Sequence, residues 1–316
     1  MQRAGYQYRR LVARAADLPQ AYGTGPSIPP TICPYAGYIA RAAAAALHEE
    51  PDARVVVAWG CDGMRRAGDL LSATYPGRAV CLQVPRGSDD DSVRAFTGSL
   101  ERLEAWLASG NGSPFGTGAG ASADPADAHA PAPDDSLSPG FFDLPAPQEP
   151  NGLFVVAGPL SSDALFVFLA ERGVPVSGVE SCTGPARREA LAPLTDPALD
   201  SERQARLLLE TIFCPHRSRP DRRALLEQRL RRSEAAAILY LRQSFCDPGA
   251  YDSLMVAGLA GDIGLPLLEL ETGFPFELDG PLRTRIEAFL EGQALGGRTT
   301  AGDTDDLFLD PDLFEL

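Results

Sequence analysis

The chain has 316 residues, 44% of them hydrophobic, with a formal net charge of −15. That suffices for two modest domains or one large one. No apolar run approaches the roughly 20 residues a membrane helix needs, and no apolar signal core follows Met1-Gln2-Arg3-Ala4-Gly5-Tyr6, so a cytoplasmic protein without a membrane partner is expected.

The acidity is local. Residues 109–150 hold six acidic residues, residues 303–316 hold six more, and neither segment has Lys or Arg. The remainder is nearly neutral and lacks the basic stripe that nucleic acids require, so no nucleic-acid partner is expected.

The first element in chain order is an Ala-rich helix over 35–48, with Pro34 suited to its first turn, where a missing N–H costs nothing. A strand at 54–59, a helix at 63–74, a strand at 78–84 and a helix at 90–108 follow. This alternation predicts a parallel sheet with covering helices. Residues 109–150, dominated by Gly, Ala, Pro, Ser and Asp, lack the apolar periodicity that offsets the entropy of ordering. They read as a disordered insertion. Within it, Gly116-Thr117-Gly118-Ala119-Gly120-Ala121 matches a dinucleotide fingerprint, but no strand precedes it and no helix follows, so it is set aside.

The pattern then restarts. Strands are expected at 153–158, 174–179, 235–241 and 265–270, and helices at 162–172, 201–213, 220–232, 249–262 and 281–293. The resulting division is an α/β domain over 1–108, the insertion over 109–150, a second α/β domain over 151–295, and an acidic tail over 296–316.

Six cysteines punctuate this frame, at 33, 61, 81, 182, 214 and 246, with no C-x-x-C among them. In a long cytoplasmic chain they are buried thiols, nucleophiles or metal ligands rather than disulfides. Cys61 and Cys246 each follow an apolar strand and each precede an Asp, which places them at the strand ends where open α/β sheets bind ligands. Cys33 stands just ahead of a helix N-terminus, which favours negative charge. Three such thiolates, converging from two domains, would hold an iron–sulfur cluster and leave one iron open to water or substrate. Cys81, inside Val80-Cys81-Leu82, reads as strand core. Cys182 and Cys214 are open between three roles: a second metal-binding set, a zinc site with His216, and loop packing. His48 and His129 look solvent-exposed, and no acid or base residue is assigned.

The pieces Cys33-Pro34-Tyr35, Cys61-Asp62-Gly63-Met64-Arg65-Arg66, Glu180-Ser181-Cys182-Thr183-Gly184, Phe245-Cys246-Asp247-Pro248 and Arg283-Thr284-Arg285-Ile286-Glu287 occur in this order. With them the chain resembles the 2-hydroxyacyl-CoA dehydratase subunits, the family of 2-hydroxyglutaryl-CoA dehydratase D-components and benzoyl-CoA reductase subunits. The resemblance implies two Rossmann- or flavodoxin-like domains facing a cleft, with a 4Fe–4S cluster on residues matching Cys33, Cys61 and Cys246. It implies a second subunit or a second copy as partner, and a separate ATP-dependent activator that delivers a low-potential electron. Its substrate would be an acyl-CoA, dehydrated through a ketyl radical. Arg65, Arg66, Arg283 and Arg285 are candidate contacts for CoA phosphates or another anion; the alternatives are a solvated helix face for the first two and a carboxylate partner, such as Glu287 or Glu291, for the last two. Two other readings stay open. One is a double-cubane reductase with an 8Fe cluster, which needs the remaining cysteines as ligands. The other is a non-catalytic accessory or scaffold homologue, because Gly280-Pro281-Leu282 departs from the family's Gly-Gln.

Overall fold

The structure, a computed structural model, describes residues 28–29, 31–109, 150–182, 199–211, 214–215 and 217–295. The expected insertion (save residues 109 and 150), the expected tail, Thr183, Gly184 and His216 lie outside the described residues.

The elements are α1 (Pro34–Glu49), β1 (Val55–Trp59), α2 (Asp62–Thr74), β2 (Ala79–Gln83), α3 (Asp90–Ala108), β3 (Leu153–Ala157), α4 (Ala164–Glu171), β4 (Val176–Ser181), α5 (Ser201–Thr211), α6 (Arg219–Ser233), β5 (Ala237–Gln243), α7 (Asp247–Ile263), β6 (Leu267–Thr272) and α8 (Gly280–Gly292). All strand pairs are parallel. The expected α/β architecture is therefore found, in a two-stranded sheet β1-β2 and a four-stranded sheet β4-β3-β5-β6.

The second sheet explains itself from its sequence. A parallel sheet covered on both faces needs apolar residues at successive positions. In β3, Leu153, Val155 and Ala157 face one core, and Phe154 and Val156 face the other. In β5, Ala237, Leu239 and Leu241 join the first core, and Ile238 and Tyr240 the second. Helices α4 and α8 close the first face through Leu165, Phe168, Ile286 and Leu290. Helices α6 and α7 close the other through Leu226, Leu230, Val256 and Leu259.

Strands β4, β5 and β6 start and end about two residues later than periodicity predicts. Pro175 and Pro266 lack the N–H that a ladder needs. They supply only carbonyls, to Leu153 N and Ile238 N, both at 2.8 Å. At the other ends, polar residues are drawn into the ladder by their neighbours: Ser181 lies opposite Ala157, and Gln243 opposite Thr272.

The two domains meet along two seams. Val93 and Phe96 of α3 pack on Ala205 and Leu209 of α5. Phe274, after β6, packs on Tyr38 and Ile39 of α1, with its ring edge-on to Tyr35 at 5.4 Å.

Candidate functional site

The strand order β4-β3-β5-β6 has its crossover point between β3 and β5. The chain leaves β3 for β4 on one side, then crosses to β5 on the other. Ligands of open α/β sheets bind outside the carboxyl ends at such a point. Here Gly158 ends β3 and Gln243 ends β5, and a Cβ on Gly158 would meet Gln243 Cβ at 2.9 Å. A narrow pocket opens beside them, lined by Glu180, Cys182, Tyr240, Gln243 and Cys246 among others.

Cys33, Cys61 and Cys246 share one structural role: each is the N-cap of a helix, α1, α2 and α7 respectively. The local sequence favours this. Pro34 and Pro248 fall in the first turns of α1 and α7, and Asp62 and Asp247 put negative charge at the positive end of their helices. An N-cap side chain accepts from the free N–H groups of the first turn. Gly249 N accordingly donates to Cys246 Sγ at 3.3 Å. The N–H groups of Tyr35 and Ala36 lower the pKa of Cys33, and those of Gly63 and Met64 lower that of Cys61, although neither sulfur meets the stricter geometry of a cap bond. We read these as long, weak contacts, as expected of a sulfur acceptor.

The caps of α1 and α2 meet: a Cβ on Gly63 would stand 3.4 Å from the Cβ atoms of both Cys33 and Ala36. Cys246 lies within electrostatic reach of both, since charge on Cys33 or Cys61 would raise its pKa further. Asp247 acts on Cys33 across the seam. Burial is the largest influence on each thiol: it raises Cys33, pushes Cys61 to about 11 and pushes Cys246 to about 12. Bare thiolates are thus costly here, while first-turn N–H groups still point at the sulfurs. A bound cation removes the first cost and keeps the second benefit, so this donor set suits a thiolate-held metal centre.

Among the described residues, no three His, Cys, Asp or Glu side chains are grouped closely enough for one metal ion. A single zinc draws its sulfurs to about 2.3 Å from one point. An iron–sulfur cluster instead spreads its thiolates over separate irons.

Cys182 lines the pocket together with Cys246 and with Pro215, the residue after Cys214. Cys81 lies mid-β2 opposite Val57, against α2. Of the four arginines, Arg65 and Arg66 lie at the start of α2, where Arg65 N donates to Cys61 O at 3.0 Å, and Arg283 and Arg285 lie on α8. Arg65 pairs with Asp69 at 3.9 Å and stacks on Trp59, and Arg66 pairs with Asp62 at 3.5 Å, all on an exposed face of α2. Arg283 donates to Leu278 O and stacks over Phe168, and Arg285 is exposed. Glu287 pairs with Arg172 of α4.

Sequence reasoning missed the buried polar network behind Cys246. Arg222 and Asp252, 3% and 2% exposed, form a bidentate pair with both bonds at 3.0 Å. Tyr240 OH donates to Gly249 O at 3.1 Å and approaches Asp252 Oδ2 at 3.3 Å. Burial holds the Tyr240 phenol protonated. The network fixes the turn whose Gly249 N–H reaches Cys246. Glu180, on β4, is also buried; burial lifts it to about 7 against the opposing pull of Arg229, its ion-pair partner, and Arg222. Asp252 and Glu180 carried a signal, as charge inside apolar runs, but Arg222 and Arg229 stand in the highly charged α6 and nothing in the sequence names the pairs.

Comparison with known proteins gives one match: residues 147–292 match the family model described as 2-hydroxyglutaryl-CoA dehydratase, D-component. The match spans the second domain and the last three of the five motifs, and it supports the dehydratase-subunit resemblance there. The match runs from ahead of β3 to the end of α8; it includes Cys182, Cys214 and Cys246, and leaves Cys33 and Cys61 outside. No curated protein matches the chain. No helix among the described residues is long and apolar enough to cross a membrane.

Proposed function

We propose that the chain is the electron-accepting, iron–sulfur component of a 2-hydroxyacyl-CoA dehydratase-type system, with Cys33, Cys61 and Cys246 as ligands of its centre. The observation that supports this is that three helices, two in the first domain and one in the second, each begin on a capping cysteine, with the first two caps in contact. A 4Fe–4S cluster, when bound, supplies one-electron chemistry at low potential.

The chain's own residues provide the setting. First-turn N–H groups stabilise negative charge on sulfur. The Arg222–Asp252–Tyr240 network holds the α7 turn in place. The seam at Phe274 keeps the Cys33 loop against the second domain. The partners of this reading are a second component of the same family or a second copy of this chain, an ATP-dependent activator that donates the electron, and an acyl-CoA as substrate.

The test is iron and acid-labile sulfide per chain after anaerobic purification. About four of each, lost in Cys61→Ser and in Cys246→Ser, is expected. About eight irons would favour the double-cubane reading instead. No iron after reconstitution would overturn both and leave an accessory role.

A further inference from the structure

Two buried oxygens in the second domain lack a hydrogen-bond donor among the described residues, and both belong to side chains of one pocket. Glu180 and Gln243 are 1% and 2% exposed. Glu180 Oε1 accepts from Arg229, but nothing donates to its Oε2. The Gln243 amide is oriented by its own bonds: Nε2 donates to Thr272 O at 3.3 Å, which leaves Oε1 as the atom without a donor. Both side chains line the pocket at the end of β3. Buried polar atoms are seldom left so, and ordered water is a common partner for them. We propose that this pocket is a water site, in which one resident water molecule bridges Glu180 Oε2 and Gln243 Oε1. Its presence does not depend on metal at the cysteines.

The sequence builds the pocket from three strand ends. Strand β3 stops at Gly158, where a Cβ would stand 2.9 Å from Gln243 Cβ, so glycine is what lets the stem of Gln243 cross the end of β3. Glu180 lies on β4 opposite Val156, and Gln243 ends β5 opposite Thr272. Strand β3 runs between β4 and β5, so the carboxyl and the amide belong to strands two spacings apart, about 9.5 Å. The two hydroxyls that line the pocket are committed elsewhere: Ser181 Oγ donates to Gly158 O at 3.0 Å, and Tyr240 OH donates to Gly249 O at 3.1 Å. A bridging donor must therefore come from solvent.

Size and charge select water. The cavity volume is about 20 Å³. One water needs about 10–15 Å³ on this measure, so there is room for it and for no metabolite. A cation would meet the guanidinium of Arg222, which lines the pocket, and that of Arg229 on Glu180. An anion would meet two acceptor oxygens. Water is neutral and serves both forms of Glu180. Burial lifts this carboxyl to about 7; a water donates to the carboxylate or accepts from the carboxyl, and donates to Gln243 in either case. It ties β4 to β5 across the end of β3, behind the wall that Cys246 and Pro215 share.

The test is a crystal structure of the full-length chain, prepared without iron. One ordered water should stand about 2.7–3.2 Å from both Glu180 Oε2 and Gln243 Oε1. An empty pocket, or the two oxygens in direct contact through the Glu180 proton, overturns the proposal. Urea unfolding in solution gives a second readout. Gln243→Met, Glu180→Met and the double variant form a cycle in which the separate contacts to Thr272 and Arg229 cancel. If one water joins the two side chains, the unfolding constant of the double variant should fall about tenfold below the product of the single effects. Effects that multiply to within about twofold, as for independent sites, overturn the bridge. Where Glu180→Met does not fold, Gln243→Met alone decides. Its crystal should lose the water, which is left with one polar partner instead of two; a water retained there would show that Gln243 does not hold it.

Discussion

Strands β3 and β5 lie between apolar layers on both faces, and their central residues are fully buried. Strands β1 and β2 form a ribbon of two, covered by the smaller side chains Ala43, Ala44, Val55 and Val57 on one face and by Val80, Leu103 and Trp106 on the other. Among the described residues the first domain has these two strands, and a two-stranded sheet needs packing partners to be stable. Its own helices supply some, and the second domain adds α5 against α3 and Phe274 against α1. The cysteine site lies where the two domains meet: two of its caps come from the weaker domain and one from the stronger. The cysteines within one domain are fixed by its core, and the geometry of the set depends on docking.

The largest effect should come from the stronger side. Asp252→Ala leaves the Arg222 guanidinium buried without its carboxylate and frees the Tyr240 hydroxyl from the same group. Breaking such a pair costs about 3–5 kcal/mol. Urea denaturation followed by far-ultraviolet circular dichroism should show a loss of that size. A loss under about 1 kcal/mol would mean that the pair is hydrated in solution and does not anchor the α7 turn.

Glu180 gives a subtler test of the same domain. Its folded pKa is raised from 4.5 to about 7, chiefly by burial. A raised carboxyl binds its proton more tightly when folded, so its stabilising contribution is complete below about pH 4.5 and is lost as pH rises through 7. The full span is on the order of 3 kcal/mol. Wild type should lose stability between pH 5 and pH 8 as this group ionises, and Glu180→Gln should be flatter across that window. Identical pH slopes in the two proteins would show that Arg229 and Arg222 fully compensate the buried charge.

How far all this was readable in the sequence follows from what each signal encodes. The helices came out within two residues at most ends because caps are local. Cys-Pro, Cys-Asp-Gly and Cys-Asp-Pro write the three helix starts in adjacent residues. Strands β4, β5 and β6 slipped by two residues because register is set by the neighbouring strand: Ser181 and Gln243 are ladder residues only because Ala157 and Thr272 lie opposite them. Pairings between distant elements were the least legible. Glu287 looked like a partner for Arg283 or Arg285 on its own helix, yet it reaches Arg172, 115 residues away, since helix packing decides which long side chains meet. Arg222 and Asp252 bracket β5 and meet behind it, a juxtaposition that no periodicity announces.

The smallest expected effect is the one that bears most directly on docking. Phe274 is buried at the seam, with Tyr35 and Tyr38 edge-on to it at 5.4 and 5.7 Å. Truncating it removes contacts between the domains while leaving both main cores whole, so the cost should fall below that of a central aromatic, at about 2 kcal/mol. The distribution of that cost is the informative part. Both tryptophans, Trp59 and Trp106, lie in the first domain, so their fluorescence reports that domain alone, whereas circular dichroism reports both. If the first domain leans on the second, Phe274→Ala should move the fluorescence transition to lower urea and leave the later part of the dichroism transition where it was. Iron loading should weaken in parallel, because Cys33 and Cys61 travel with the loosened domain while Cys246 stays. If both probes shift together, the molecule unfolds as one unit, and the site is held by a single cooperative structure rather than by the docking of two unequal ones.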